Sequence, residues 1–113
     1  MESKDLAKEV TELHADLCSA LADPKRILLL YALSEHSQKV NELADRIGIS
    51  QPAASRHLKI LRERGLVRSV RQGASVEYHL VDPRLIEALD ILRSVLSARI
   101  HHRANLLVEL DSE

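Results

Sequence analysis
A chain of 113 residues, 45% hydrophobic and 29% charged, has the size and make-up of one globular domain and excludes both a disordered polymer and two independent cores. Its formal net charge of −1 argues against wholesale coating of nucleic acid, so any contact with a polyanion must come from a local patch. Phe and Trp are absent and Tyr occurs only at 31 and 78, so the core has to be aliphatic, which suits helical packing. The longest wholly apolar run, Ile27 to Leu30 continued by Tyr31, Ala32 and Leu33, is far short of a membrane span. The polar start Met1-Glu2-Ser3-Lys4-Asp5 leads into no signal-like apolar region, and a cytoplasmic protein with no membrane partner is expected. One cysteine, Cys18, excludes an intrachain disulfide framework.

In chain order, Leu6, Val10, Leu13, Leu17 and Ala20 predict an amphipathic helix over about residues 4–20. Asp23-Pro24 supplies a helix N-cap and a proline at the first helical position for a second, largely buried helix to about Leu33. The polar stretch Ser34 to Lys39 reads as a loop. Val40 to Ile47 forms a short helix with Leu43, Ala44 and Ile47 inward, stopped by Gly48 and followed by Ile49 as a buried turn residue. Ser50 caps the next helix, which begins Gln51-Pro52, runs to about Arg64 with Ala54, Leu58 and Leu61 inward, and ends at Gly65. Helix, tight glycine turn, helix is helix-turn-helix spacing. Two β-rich runs, Leu66 to Arg71 and Val76 to Leu80, flank Gln72-Gly73-Ala74-Ser75 and predict a hairpin. A hairpin directly behind the second helix of such a pair is a wing. From Asp82-Pro83 a last helix carries Leu85, Ala88, Leu89, Leu92, Val95 and Leu96, with Leu106, Leu107 and Leu110 beyond Ile100. The expected fold is therefore mainly α with a small β-hairpin wing, in the order α-α-α-α-β-β-α, as one winged helix-turn-helix domain over residues 1–113.

Charge is distributed to match. Between Arg46 and Arg71 lie seven Lys or Arg residues against one acid, Glu63, the footprint of a local phosphate-contacting face. The second helix of the pair enters the major groove with its N-terminal residues nearest the bases. Ser50, Gln51, Ala53, Ser55, Arg56, His57, Lys59 and Arg62 are its candidate contact residues. Gln51 suits an adenine edge, Arg56 a guanine, and Ser55 either a base or a phosphate. Lys59, Arg62 and Arg64 fall further along, where phosphate is nearer. His57 suits local packing or a hydrogen bond that steadies the helix. Arg68, Arg71 and Gln72 in the wing are placed for a phosphate or the minor groove. The first and last helices carry more aliphatic surface than the middle can cover, so Leu6, Val10, Leu13, Leu17, Leu85, Leu89, Leu92, Val95 and Leu96 are expected to join two copies in a homodimer on double-stranded DNA.

The runs Leu21-Ala22-Asp23-Pro24-Lys25-Arg26-Ile27-Leu28-Leu29-Leu30, Glu42-Leu43-Ala44, Ile49-Ser50-Gln51-Pro52-Ala53-Ala54-Ser55-Arg56-His57-Leu58-Lys59-Ile60-Leu61-Arg62-Glu63-Arg64-Gly65-Leu66-Val67, Arg71-Gln72-Gly73 and Tyr78-His79-Leu80 resemble the ArsR/SmtB winged-helix repressors over roughly residues 13–98. The resemblance implies a dimer joined by the first and last helices, binding to an inverted repeat near its own promoter, and release by a metal or another signal. The sensing residues of that family are mostly replaced. Its paired thiolates fall on Lys39 and Asn41. Of its last-helix metal set only Asp82 is kept, the others falling on Arg84, Val95 and Ala98. The second-helix cysteine of persulfide sensors falls on Tyr31, and the last helix has no cysteine.

What is left for sensing is His14 and Cys18, neighbours four residues apart on the first helix, with His101 and His102 near the end of the last. Such nitrogen and sulfur donors would take a transition metal as cofactor; Cys18 alone could act by oxidation. The plain alternative makes Cys18 a small hydrophobe and the histidines a polar helix end. The effector is unidentified at this level. Three readings compete: a sequence-specific repressor, a metal- or thiol-responsive repressor using the atypical set, and a dimeric interaction module that has lost DNA reading. No nucleophile, base and orienting group line up, and no phosphate loop is present, so an enzyme is not expected.

Overall fold
The computed structural model describes residues 3–111, with side chains described for 5–103, 105 and 106. They fall into two compact units, one reaching Asp82 and the other starting at Pro83.

In the first unit, helix α1 (Ser3–Glu9), a π-helical turn (Val10–His14) and α2 (Ala15–Ala20) run on from one another. The sequence predicted one regular amphipathic helix here. The wider π turn resets the phase of the side chains, and only the far end of the stripe is covered: Ala20 is buried and Leu17 half-buried, while Leu6, Val10 and Leu13 stay exposed. Helix α3 (Pro24–Glu35) starts as predicted, Asp23 Oδ1 accepting the Lys25 backbone N–H at 2.8 Å. Leu29, Leu30, Ala32 and Leu33 of α3 are buried, and α4 (Val40–Ile47) and α5 (Gln51–Glu63) pack against it. Leu29, Leu30, Leu43, Leu58 and Leu61 form the fully buried centre, aliphatic as the composition required.

The predicted loop over Ser34 to Lys39 is corrected. Helix α3 continues to Glu35, and Gln38–Lys39 form a short strand β1 that pairs antiparallel with a later strand, Gln38 opposite Tyr78 and Lys39 opposite Glu77. Two residues give no period to read, and the pairing partner lies forty positions away. The signal that marks the place is a buried glutamine. Gln38 Nε2 donates to the Ala32 carbonyl at 2.8 Å and to the His36 carbonyl at 3.2 Å, answering the acceptors that a helix end leaves open. Gln38→Leu keeps the volume and removes both donors. It is expected to cost about 1–3 kcal/mol, the penalty for a buried polar group left unsatisfied, read as a lower midpoint in urea.

Helix α4 ends at Gly48, whose φ of +74° lets the Gly48 and Ile49 N–H groups both return to the Ala44 carbonyl. Ile49 is half-buried, less than predicted. Ser50 then caps α5, its Oγ accepting the Ala53 N–H at 3.2 Å. At the other end Leu66 N–H bonds to Leu61 O and Gly65 N–H to Arg62 O, the Schellman pattern that a glycine closes. Strands β2 (Val67–Gln72) and β3 (Ser75–Leu80) pair from Val67 opposite Leu80 to Gln72 opposite Ser75 around Gly73-Ala74, and the sheet order is β1-β3-β2. An Arg46–Glu35 ion pair joins α4 to α3. The Arg46 guanidinium, by hydrogen bond and then by charge, holds the Glu35 carboxyl below the usual carboxylate range. That stabilisation is present at neutral pH and fades as pH falls through the lowered value; on an exposed pair it is small.

The second unit is one continuous helix, α6 (Arg84–Asp111), running through His101 and His102 without a break. Leu89 is buried and Leu85 half-buried, but Ile91, Leu92, Val95, Leu96 and Ile100 are each 54–66% exposed. At about 100° per residue these five cover roughly half the helix circumference. Ile91 and Ile100 widen the stripe the sequence suggested. The side chains of Leu107 and Leu110 lie outside the described residues. No helix among the described residues is long and apolar enough to cross a membrane.

Candidate nucleic-acid interface
Helix α5 rests on the core through Ala54, Leu58 and Leu61, all fully buried. That anchoring turns the opposite face outward. Gln51, Ser55, Arg56, Lys59 and Arg62 are exposed, as predicted. Ala53 is half-buried, so little of its methyl is offered. The Ser50 hydroxyl oxygen serves as the helix cap, which leaves its proton as the group free to donate outward. No acid lies in the first turn of α5, so the partial positive charge of the helix start is not cancelled there.

Further along, the basic residues separate. Arg62 Nη1 reaches Ser69 Oγ of β2 at 3.5 Å, tying the helix to the root of the wing. Arg64 Nη1 lies 3.6 Å from Asp16 Oδ1 of α2, which turns a predicted phosphate group back toward the protein. Arg56, Lys59, Arg68 and Arg71 remain exposed. In the hairpin, side chains alternate across the sheet. Arg68 and Gln72 therefore share one face of β2 and Arg71 takes the other, so the two wing arginines address different neighbours.

His57 is half-buried and pinned. Its Nδ1 lies 3.3 Å from Arg26 Nη1, and its Nε2 lies 3.9 Å from Asp23 Oδ2. An arginine only donates, so Nδ1 is the acceptor and Nε2 carries the proton. Arg26 escaped the sequence reading. The signal available was an Asp23/Arg26 pair at i,i+3 across a helix start, here 4.0 Å apart.

His14, Cys18, His101 and His102 are all exposed. Among the described residues no three His, Cys, Asp or Glu side chains converge as a metal site would need.

Helix α4, a glycine turn, an outward-facing α5 and a hairpin close behind it define a winged helix-turn-helix protein. The model of the family described as "Bacterial regulatory protein, arsR family" matches residues 23–69, from the cap of α3 into β2. The HTH-type transcriptional repressor SmtB of Mycobacterium tuberculosis is 40% identical over 78 residues, covering 69% of this chain and 58% of that protein. The biofilm growth-associated repressor of Xylella fastidiosa is 32% identical over 99 residues, covering 88% of this chain and 86% of the relative. Among solved structures, Rv0081 of M. tuberculosis superposes with a TM-score of 0.76 at 31% identity, covering 84% of this chain and 96% of that one. The chain belongs to the arsR family of bacterial regulatory proteins, a family of regulators and not of enzymes. It spans little more than half the length of the M. tuberculosis SmtB.

Proposed function
We propose that the chain is a sequence-specific repressor that binds double-stranded DNA as a homodimer, on an inverted repeat, and is released by a signal still to be identified. One observation carries this reading: Gln51, Ser55 and Arg56 stand exposed on the first half of a helix whose other face is locked into the core. Groups that can bond base edges are there presented by a rigid element, and a wing with Arg68, Arg71 and Gln72 follows it. The names of the relatives, which are repressors, point the same way. Pairing through the first helix (about 4–20) and the last (about 83–110), as one domain per chain, would cover the exposed leucines, isoleucines and valines and give the two α5 helices a two-fold relation. Half-sites about 34–36 Å apart follow from such symmetry.

The test is fluorescence anisotropy on an operator selected from a randomised duplex pool, against a scrambled duplex at the same salt. The wild type should prefer the selected duplex by about 10³-fold or more. Arg56→Ala should lose roughly 1–3 kcal/mol on the operator and relax the preference at one base pair. Lys59→Ala should weaken both duplexes alike and reduce the salt slope by about one. A selection that yields no preferred duplex overturns the repressor reading in favour of an interaction module.

A further inference from the structure
Arg26 uses three of its nitrogens at once. Nε donates to the Ala20 carbonyl at 2.5 Å, Nη2 to the Ser19 carbonyl at 3.3 Å, and Nη1 to His57 Nδ1 at 3.3 Å. The Arg26 side chain is only 13% exposed and that of His57 18%. Asp23 Oδ2 lies 4.0 Å from Nη1 and 3.9 Å from His57 Nε2, so one carboxylate faces both. The guanidinium therefore closes the carbonyl end of α2, sits in the first turn of α3 and holds a ring in the middle of α5. A cation at the end of α2 also matches the negative end of that helix.

The apolar groups that seat α5, Ala54, Leu58 and Leu61, attract without direction and fix depth better than rotation. The Arg26–His57 bond is directional, because a planar fork meets a single lone pair in the ring plane. His57 is next to Arg56 and two residues from Ser55 in sequence, so the rotation that this bond fixes is the rotation at which those side chains face out.

We propose that Arg26 is a positioning residue for base reading: through His57 Nδ1 it sets the rotation of α5, and this rests on α5 being the helix that reads DNA. Discrimination, not bulk affinity, is what it controls. Partial unfolding would lower binding to every duplex by one factor and leave the ratio of operator to scrambled affinity unmoved.

The experiment measures that ratio by anisotropy, with the thermal midpoint of each variant alongside. His57→Leu, which fills the space without an acceptor, should reduce the ratio by about tenfold or more, the size of one lost bond to a charged group. His57→Asn, whose Oδ1 replaces Nδ1 as acceptor, should restore most of it. Arg26→Gln should reduce the ratio as His57→Leu does and reduce it no further in the His57→Leu background. An unchanged ratio in His57→Leu, no rescue by asparagine, or independent losses for Arg26 and His57 would each overturn the proposal. If the wild type itself does not discriminate, the DNA reading fails, and the Arg26–His57 tie is decided by the ¹⁵N imidazole spectrum. A protonated Nε2 and bare Nδ1 that change on Arg26→Gln support the tie; a protonated Nδ1 in the wild type refutes it.

Discussion
Leu92→Glu combined with Val95→Glu should convert the protein into a folded monomer that has lost at least about 100-fold of its operator affinity. Both side chains are more than half exposed on α6, on a largely apolar side of the helix that also holds Ile91, Leu96 and Ile100 and is crossed by Arg99. Fully burying one such side chain is worth about 1.5–3 kcal/mol, and a run of exposed apolar side chains on one helix is the kind of surface that marks an interaction site. Two carboxylates placed there stay solvated in the monomer but would lose their water in a dimer without gaining a partner. Folding of the single chain should be little affected, since neither residue is buried in it. Two half-sites read by one dimer act as linked sites, and uncoupling them removes an advantage of about 10²–10⁴. Sedimentation equilibrium reads the mass, and anisotropy on the operator reads the affinity. A double variant that still sediments with the wild type places the dimer contact elsewhere.

Leu58→Ala is expected to have the largest effect on stability. Leu58 is fully buried on the inner face of α5, beside which Leu61 and Ala54 are buried as completely. Removing its isobutyl group loses transfer free energy and leaves a cavity that the surrounding leucines cannot collapse into, about 2–5 kcal/mol in all. Domains of this size have only about 5–15 kcal/mol in total, and the thermal midpoint should fall by at least about 10 °C. Leu28→Ala is the control: Leu28 is 47% exposed on the same helix as the buried Leu29 and Leu30, and its loss should cost less than half as much. Thermal unfolding by circular dichroism at one fixed protein concentration separates the two. Equal losses would mean that Leu28 is covered in the assembled protein.

The placement of the helices was legible because their ends are chemical events within three or four residues. Asp23-Pro24, Ser50 with Gln51-Pro52, Gly48 and Gly65 each satisfy or redirect particular backbone groups, and the structure has each doing so. The outward face of α5 was legible for the same local reason: Ala54, Leu58 and Leu61 repeat at helical spacing, and what is not inward must be outward. The hairpin was also local, bracketed by its glycine turn. Local rules stop where the partner is distant. Strand β1 exists because Gln38 and Lys39 meet Tyr78 and Glu77, and nothing in two residues announces a partner forty positions on. The π turn over Val10–His14 leaves the apolar spacing of the first helix looking regular.

Charged side chains show the limit most clearly. In sequence Arg62 and Arg64 read as phosphate contacts, and Arg68 and Arg71 as contacts to a phosphate or the minor groove. Tertiary structure ties Arg62 to Ser69, turns Arg64 to Asp16 and sends the two wing arginines to opposite faces. A long flexible side chain goes to whatever acceptor the fold brings within its reach, and that is set by the packing of elements far apart in the chain. Arg26 is the same lesson in reverse: an unremarked residue in a helix start became the link between α2 and α5. The sequence alone determined the long helices and the hairpin, the ends set by a cap or a glycine, and the inner faces of α4 and α5, because those depend on neighbours along the chain. Only the tertiary structure decided which polar groups hold the fold together and which are left to meet DNA, because a hydrogen bond needs both partners in place.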